Sequence, residues 1–432
     1  MPSITSQYLA RYRRATADEG TDLPLPVTGA QRRFVLVRSM DATGRPDLVP
    51  MFFAFPRGTV DTVRLASAAR RVAALHPVLR ARPAVLRGAP VLLPEPPAVP
   101  VATVTPALGE DTASALRRAL ADWAPQGPPM RMFLARDEAP GGEEVLAIVL
   151  DHAACDGQSL ARVVGELEAA YAEAPHSDEP SPGDIAAELA AYRDAVLLQL
   201  EAEDRASSPE AMAHWGERLR GVREQAPPAR PGHPAADALP SGTAERCVPA
   251  PAAGMSFPGL LDACRAAAAA LYGPGHEVPI GYPWGGRPPG AAPVIGCFLN
   301  TVVFPATTGE GPGGDSTAFD WWDDLDRADA PFDAVVHAAR AAGSGWTGRL
   351  DGLLTVDDTQ RRPLLSLAGV TGRETHVDGR PVRGPFAVSV TNGPALHLRM
   401  VWDRAVLDDD RAEDAFAALA DTVAATSAGT AG

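Results

Sequence analysis

Between Glu144 and Tyr171 the chain runs from an apolar segment, EVLAIVL, through the polar DHAACDGQ into an amphipathic stretch. This junction constrains the rest of the fold. The first segment predicts a buried strand, and Leu160, Val163, Val164, Leu167 and Tyr171 recur at helical spacing, so a helix packs back onto that strand's sheet. The strand needs partners. MRMFLA, from Met130, precedes it across a Pro-Gly-Gly turn and predicts a hairpin. PMFFAF, from Pro50, predicts another strand, followed by a helix with Leu65, Ala68, Ala69, Val72 and Leu75 on one face. Asp111 is placed to cap a further helix carrying Leu116, Leu120 and Trp123.

The second half repeats this style. APHSDEPSPGD, from Ala174, predicts a linker, helical sequence continues to about Gly221, and a Pro-rich loop starts at Gln225. Then come a helix (FPGLLDACRAAAAALYG), two strand-like stretches (EVPIGYPWGGR, GCFLNTVVFP) and two helices (TAFDWWDDLDR, PFDAVVHAAR). FAVSVT and ALHLRMVWD flank Asn392-Gly393, a dipeptide that takes positive φ at low cost and so predicts a hairpin. A last helix closes the chain. Gly313-Gly314-Asp315-Ser316 spells a carrier-type tetrapeptide but is expected in a loop, and Trp321 and Trp322 are expected to cover the core. His76, before Pro77, ends a helix. Mixed strands and helices in two halves predict an α/β (α+β) fold of two lobes, 1–176 and 177–432, although a length of 432 residues alone would allow three domains.

Composition removes whole classes of function. Hydrophobic residues make up 46% and charged residues 22%, which suits a globular core. The net charge of −15 argues against nucleic-acid binding through a basic face. All 39 basic residues are Arg, so Lys Schiff bases and a P-loop Lys are excluded. Cys155, Cys247, Cys264 and Cys297 form no CxxC pair and read as reduced, buried residues, and no metal site is expected. Without an apolar leader at the N-terminus or a membrane-length apolar run, a cytoplasmic protein off the membrane is expected, as a monomer.

Among nine histidines His152 stands apart, because it leaves the end of a strand at a polar turn, where side chains project into a cleft. Neighbouring strand side chains point to opposite faces, so if His152 faces a channel Asp151 faces the interior, and the reverse. The competing reading is a turn stabilised by Asp156 and Gly157 in which His152 is merely hydrogen-bonded.

Here the chain resembles the condensation domains of nonribosomal peptide synthetases and the related chloramphenicol-acetyltransferase-like acyltransferases. DHAACDG is similar to their HHxxxDG motif. LPVTGAQRRF (from Leu25), GTVDTVRLASAARRVAALHPVLRAR (from Gly58), AMAHWGERLRG, GYPWGGRPPG, VIGCFLNTVVFP and ADAPFDAVVHAAR resemble further segments in the family's order, from about residue 25 to near residue 420. The resemblance implies two acetyltransferase-like lobes in a V with a tunnel between them. Donor and acceptor would enter from opposite sides, usually on the phosphopantetheine arm of a carrier protein, or with coenzyme A as donor; no cofactor is held by the chain itself. It places the motif's second His at His152, its Asp and Gly at Asp156 and Gly157, and the Arg that pairs with that Asp at Arg287. Ser159, Trp284 and Asn300 are expected near the tunnel, with Asn300 also a candidate to fix its strand through backbone hydrogen bonds.

The chemistry fits these residue types. An amine or alcohol attacking a thioester must lose a proton, and imidazole, with an ordinary pKa of ~6.5, can take it. The implied activity is amide formation by a condensation enzyme of antibiotic-type biosynthesis, with carrier and acceptor supplied by separate molecules. Ester formation is the close second. Two departures bear on this. The motif's first His is Asp151, and Asp151, Asp156 and Ser159 spell the DxxxxDxxS of heterocyclization domains, although His152 and Gly157 are retained. A non-catalytic recruitment domain for carrier proteins is a further alternative. With no Lys, any cationic contact to a phosphopantetheine phosphate must come from Arg.

Overall fold

The computed structural model describes residues 2–17, 23–40, 47–123, 127–137, 141–173, 179–226, 239–250, 254–309, 315–358 and 363–429. The chain gathers into two compact units. Unit 1 comprises Met1–Asp204, Gly285–Leu299 and Pro363–Val377, and unit 2 the remainder.

In chain order the elements are α1 (Ile4–Thr16), α2 (Gly29–Met40), β1 (Leu48–Pro56), α3 (Thr62–Leu75), β2 (Ala81–Leu86), β3 (Ala89–Pro94), β4 (Val101–Val104), α4 (Thr112–Ala121), β5 (Met130–Arg136), β6 (Glu143–Asp151), α5 (Gly157–Glu173), α6 (Pro182–Ala206) and α7 (Pro209–Arg218). There follow β7 (Ser241–Pro249), α8 (Phe257–Tyr272), β8 (Glu277–Gly285), β9 (Leu299–Thr307), α9 (Asp315–Leu325), α10 (Phe332–Ala341) and β10 (Gly352–Asp358). The last are β11 (Ser366–Leu367), β12 (Val370–Thr371), β13 (Arg373–Thr375), β14 (Phe386–Asn392), β15 (Ala395–Asp403) and α11 (Asp409–Gly429).

Unit 1 is built on a sheet of order β13-β1-β6-β5-β4. The expected β5–β6 hairpin is present, with Met130 opposite Leu150; the Pro140 of its turn lies outside the described residues. Residues of β6 alternate between two apolar layers. Leu146, Ile148 and Leu150 meet Leu65 and Val72 of α3 and Val163 and Leu167 of α5, whereas Ala147 and Val149 face Leu116 and Leu120 of α4. Both faces of the strand are therefore covered, which explains its unbroken apolar run. Each such large aliphatic side chain, fully buried, contributes ~1.5–3 kcal/mol. Asp111 caps α4 by accepting Ser114 N–H at 2.6 Å, as its position predicts.

His76 ends α3, buried at 1% exposure, and forms the centre of a cluster. Its Nε2 lies 2.5 Å from Glu166 and its Nδ1 3.5 Å from Glu188, and Arg162 ties both carboxylates. Burial alone would lower the imidazole pKa, but hydrogen bonds to Glu166 and Glu188 carry it above the ordinary value. The hydrogen bond to His76, with Arg162, holds Glu188 down at about 2.

Unit 2 holds a six-stranded sheet of order β7-β15-β14-β10-β8-β9. β14 and β15 form the hairpin predicted at Asn392-Gly393. One extensive core joins this sheet to α8, α10 and α11 around Trp215, Trp346 and Trp402. Three expectations need correction. Cys247, in the outer sheet strand β7, is exposed and not buried like the other three cysteines. Ser316 lies inside α9 and not in a loop, because Thr317 and Trp321 of the same helix pack inward; Gly313 and Gly314 fall outside the described residues. Trp321 does pack on the core, but Trp322, one position further round the helix, is 63% exposed.

Candidate active site

The turn after β6 is held from several sides. Asp151 ends the strand and is buried; its Oδ1 accepts Ala153 N–H at 2.9 Å, and its own carbonyl accepts Ala154 N–H at 2.8 Å. This short Asx-type turn bends the chain towards α5. By the strand's alternation Asp151 continues the row of Ala147 and Val149, on the α4 face, where it interacts electrostatically with Arg131 of β5. Arg131 in turn stacks over Trp123, 3.9 Å from the ring centre, on the wall of a groove of about 580 Å³. Arg131 lies on a different strand, so no local pattern around Asp151 indicates this pairing.

His152 is partly exposed. Its N–H donates to Asp47 O at 2.8 Å, its ring stacks on Phe34 of α2 (4.9 Å, 21°), and its Nδ1 lies 3.9 Å from Cys297 Sγ. Burial pushes the thiols of Cys297 and Cys155 well up, so both are neutral and do not compete as nucleophiles.

Asp156 is fully buried. Arg287 Nη1 donates to both of its oxygens, at 2.8 and 2.6 Å, Ser159 N–H and O–H reach Oδ1 at 3.0 Å, and Phe298 N–H reaches Oδ2 at 2.9 Å. The remaining N–H groups of Arg287 bind Val294 O, Gly296 O and Ser159 Oγ, and its guanidinium lies over the Phe298 ring, 4.6 Å from the centre. Asp156, Ser159 and Arg287 thus form one closed network, within unit 1, that fastens the segment 294–298 to the start of α5. Gly157 opens that helix and is exposed, with no atom within 4 Å of where a Cβ would stand.

Sequence reading missed Gln31. It is buried, donates to Ala153 O at 2.8 Å and to Tyr192 O–H at 3.0 Å, and so fixes the His152 turn from α2. Beside it Arg32 and Glu203 form a buried ion pair at 3.2 Å, and Glu203 accepts Gly29 N–H at 2.8 Å. The signal available was Gln31's place within LPVTGAQRRF.

Trp284 and Asn300 belong to unit 2, and their contacts lie there. Trp284 is partly buried and meets Trp321 edge-on, with ring centres 6.4 Å apart. Asn300 donates to Ala328 O (2.8 Å) and Ala330 O (2.7 Å) and accepts Phe332 N–H (3.2 Å), which anchors the turn before α10 to β9. Among the described residues no group of three or more His, Cys, Asp or Glu could hold a metal ion, and no helix is long and apolar enough to cross a membrane.

No family model matches the chain. CymA of Salinispora arenicola, described as a probable non-canonical nonribosomal peptide synthetase, is 26% identical over 96% of this chain. The chain spans 6% of CymA's length, and 9–14% of the other curated relatives it matches, which include a dimodular nonribosomal peptide synthase of Bacillus subtilis. Among solved structures, the first condensation domain of the calcium-dependent antibiotic synthetase superposes with a TM-score of 0.68 at 16% identity, covering 96% of this chain and 98% of that one. This chain has the condensation-domain fold. The X-domain of teicoplanin biosynthesis, solved in complex with OxyB, shares that fold with a TM-score of 0.69 at 19% identity, covering 95% of this chain and 94% of that one. In this condensation fold the motif residues occupy one braced turn, and the mixed α/β architecture expected from the sequence is the one observed.

Proposed function

We propose that this condensation domain transfers an acyl or aminoacyl group from a carrier-protein phosphopantetheine thioester to an amine, forming an amide. The observation that carries the reading is His152, a partly exposed imidazole held by Phe34 and Asp47 on a turn that Gln31, Asp151 and the Asp156–Arg287 network fix in place. The amine nitrogen attacks the thioester carbonyl carbon, His152 accepts the proton that nitrogen loses, the C–S bond breaks, and the proton passes to the departing thiolate. A positioned general base contributes ~10²–10⁴-fold, and holding both reactants in attack geometry contributes up to ~7–11 kcal/mol of the barrier.

The heterocyclization reading rests on Asp151, Asp156 and Ser159. All three side chains are engaged in holding backbone or Arg287, and Ser159 is buried, which favours a structural role for them. An alcohol acceptor, giving an ester, uses the same atoms. A recruitment role has one specific observation in its favour, the likeness to an X-domain solved with OxyB, together with Asp151 at the first motif position.

The test is to load a carrier protein with candidate acyl groups, add amines, and follow product by mass spectrometry. His152→Ala is expected to lose at least ~10²-fold in rate. An unchanged rate in that variant removes His152 from the mechanism. Carrier binding without turnover for any donor supports recruitment instead.

A further inference from the structure

The network of Asp156, Ser159 and Arg287 fastens a segment whose middle residue stands outside it. Gly296 N–H donates to Ser159 Oγ at 3.1 Å, and Gly296 O accepts from both Ser159 and Arg287. Two positions on, Phe298 N–H donates to Asp156. Between them lies Cys297. Its carbonyl accepts the hydroxyl of Thr28, the residue just before α2, at 2.7 Å. The backbone at 297 is therefore pinned on both sides and at its own carbonyl, and the side chain is 1% exposed in packed surroundings. That side chain meets His152: Sγ lies 3.9 Å from Nδ1.

Among the described residues this is the one polar contact of the His152 ring. Phe34 stacks on the ring's face, and the bond to Asp47 O belongs to the backbone N–H. A neutral imidazole carries one hydrogen between two nitrogens, and the bond made by one nitrogen sets the state of the other. Nδ1 is turned to a buried thiol, so Nε2 is the nitrogen left for substrate. To take a proton Nε2 must hold a lone pair, and Nδ1 must then carry the hydrogen. Free histidine favours the opposite tautomer, so a group at Nδ1 has to reverse that preference. A thiol sulfur is a weak acceptor, but a buried N–H with no acceptor at all is costly. Burial keeps the Cys297 thiol protonated. A thiolate in its place would hold the ring as imidazolium and remove the lone pair; the neutral thiol leaves it.

We propose that Cys297 is a positioning residue for His152: its sulfur accepts Nδ1–H and so holds the imidazole in the tautomer whose Nε2 lone pair faces the reacting amine. This rests on His152 being the proton acceptor, and it gives the Asp156–Ser159–Arg287 network a task, which is to place Cys297.

The test uses the full chain with histidine isotope-labelled at the ring nitrogens. Long-range proton–nitrogen correlation spectra, recorded where the imidazole is neutral, show which ring nitrogen holds the hydrogen, and the His152 signals are those missing from His152→Ala. Wild type is expected to carry the hydrogen on Nδ1. Cys297→Ala removes the acceptor and should move His152 largely to the Nε2–H form. Cys297→Ser puts an oxygen acceptor on the same carbon and should restore Nδ1–H. In the carrier-loading assay Cys297→Ala should lower kcat at least ~10-fold with KM changed less than about twofold, and Cys297→Ser should recover most of that loss. Circular dichroism and a urea midpoint close to wild type verify that both variants fold. Hydrogen on Nε2 in the wild type overturns the proposal, as does the same tautomer in wild type and Cys297→Ala. An unchanged rate in His152→Ala overturns the proton-acceptor reading instead, and the spectrum still decides whether Cys297 sets the tautomer.

Discussion

Replacing Arg287 tests whether its pairing with Asp156 is a charge interaction or a backbone fastening. In Arg287→Met the Asp156 carboxylate stays fully buried without its counter-charge. Breaking a buried pair in this way costs about 3–5 kcal/mol. Val294 O loses both of its bonds from the guanidinium, which adds about 1–3 kcal/mol. The double variant Asp156→Leu with Arg287→Met is the more informative. For an ion pair with no other duties, an apolar replacement is often neutral or stabilising by ~1–4 kcal/mol. Here the same substitution strands two buried backbone groups, Phe298 N–H and Val294 O, whereas Gly296 O keeps Ser159 and Ser159 N–H keeps the Asp156 carbonyl. Two stranded groups cost about 2–6 kcal/mol together, which at mid-range exceeds what the apolar replacement returns, so the double variant should be less stable than wild type by about 1–2 kcal/mol. Urea unfolding followed by far-ultraviolet circular dichroism measures this; six of the seven tryptophans lie in unit 2, so fluorescence alone would under-report it. A double variant as stable as wild type would refute the fastening argument.

Three further outcomes follow from the same geometry. Asp151→Asn can still accept Ala153 N–H and should keep most of the activity in the carrier-loading assay, whereas Asp151→Ala should lower it about tenfold or more; equal losses would shift the role of Asp151 to its charge near Arg131. His76, with its pKa raised, adds stability that is complete below its ordinary 6.5 and fades as pH rises through the folded value, while Glu188, depressed to about 2, adds stability that is complete above 4.5 and fades as pH falls towards 2. The gap in urea midpoint between wild type and His76→Gln should therefore be widest between about pH 4.5 and 6.5 and shrink on both sides. Asn300→Asp turns a carboxylate oxygen towards the carbonyls of Ala328 and Ala330, and should lower the melting temperature more than Asn300→Ala, which only removes the bonds.

What could be read in advance divides along physical lines. The β6–α5 junction, the Asp111 cap and the Asn392-Gly393 hairpin are local events, dictated by side-chain periodicity and turn chemistry over ten to twenty residues. Contacts without local cause were not readable. β13 pairs with β1 through Phe52 and Thr375, more than three hundred positions apart, and no periodicity in either segment announces it. A linear division of the chain also cannot express that 285–299 and 363–377 pack with unit 1. Arg287 was reachable only through its place in a collinear set of motifs, because nothing in GYPWGGRPPG indicates a partner at Asp156. Gln31 and Cys297 went unread as supports of the His152 turn for the same reason.

The departure at Asp151 becomes intelligible once the two faces of β6 are separated. Leu146, Ile148 and Leu150 pack on the α3–α5 side and Ala147 and Val149 on the α4 side, and the strand's alternation puts Asp151 in the second row. His152 sits within the turn and meets Phe34 and Cys297, so its neighbour on the chain is not its neighbour in space. What position 151 must supply is an acceptor for Ala153 N–H that tolerates burial next to Arg131. A carboxylate meets that demand directly, and the nearby guanidinium offsets part of the cost of burying it. A change at the first position of DHAACDG therefore alters how the turn is held, while the imidazole proposed to take the proton keeps its own supports, Asp47, Phe34 and the Gln31-bound Ala153 carbonyl.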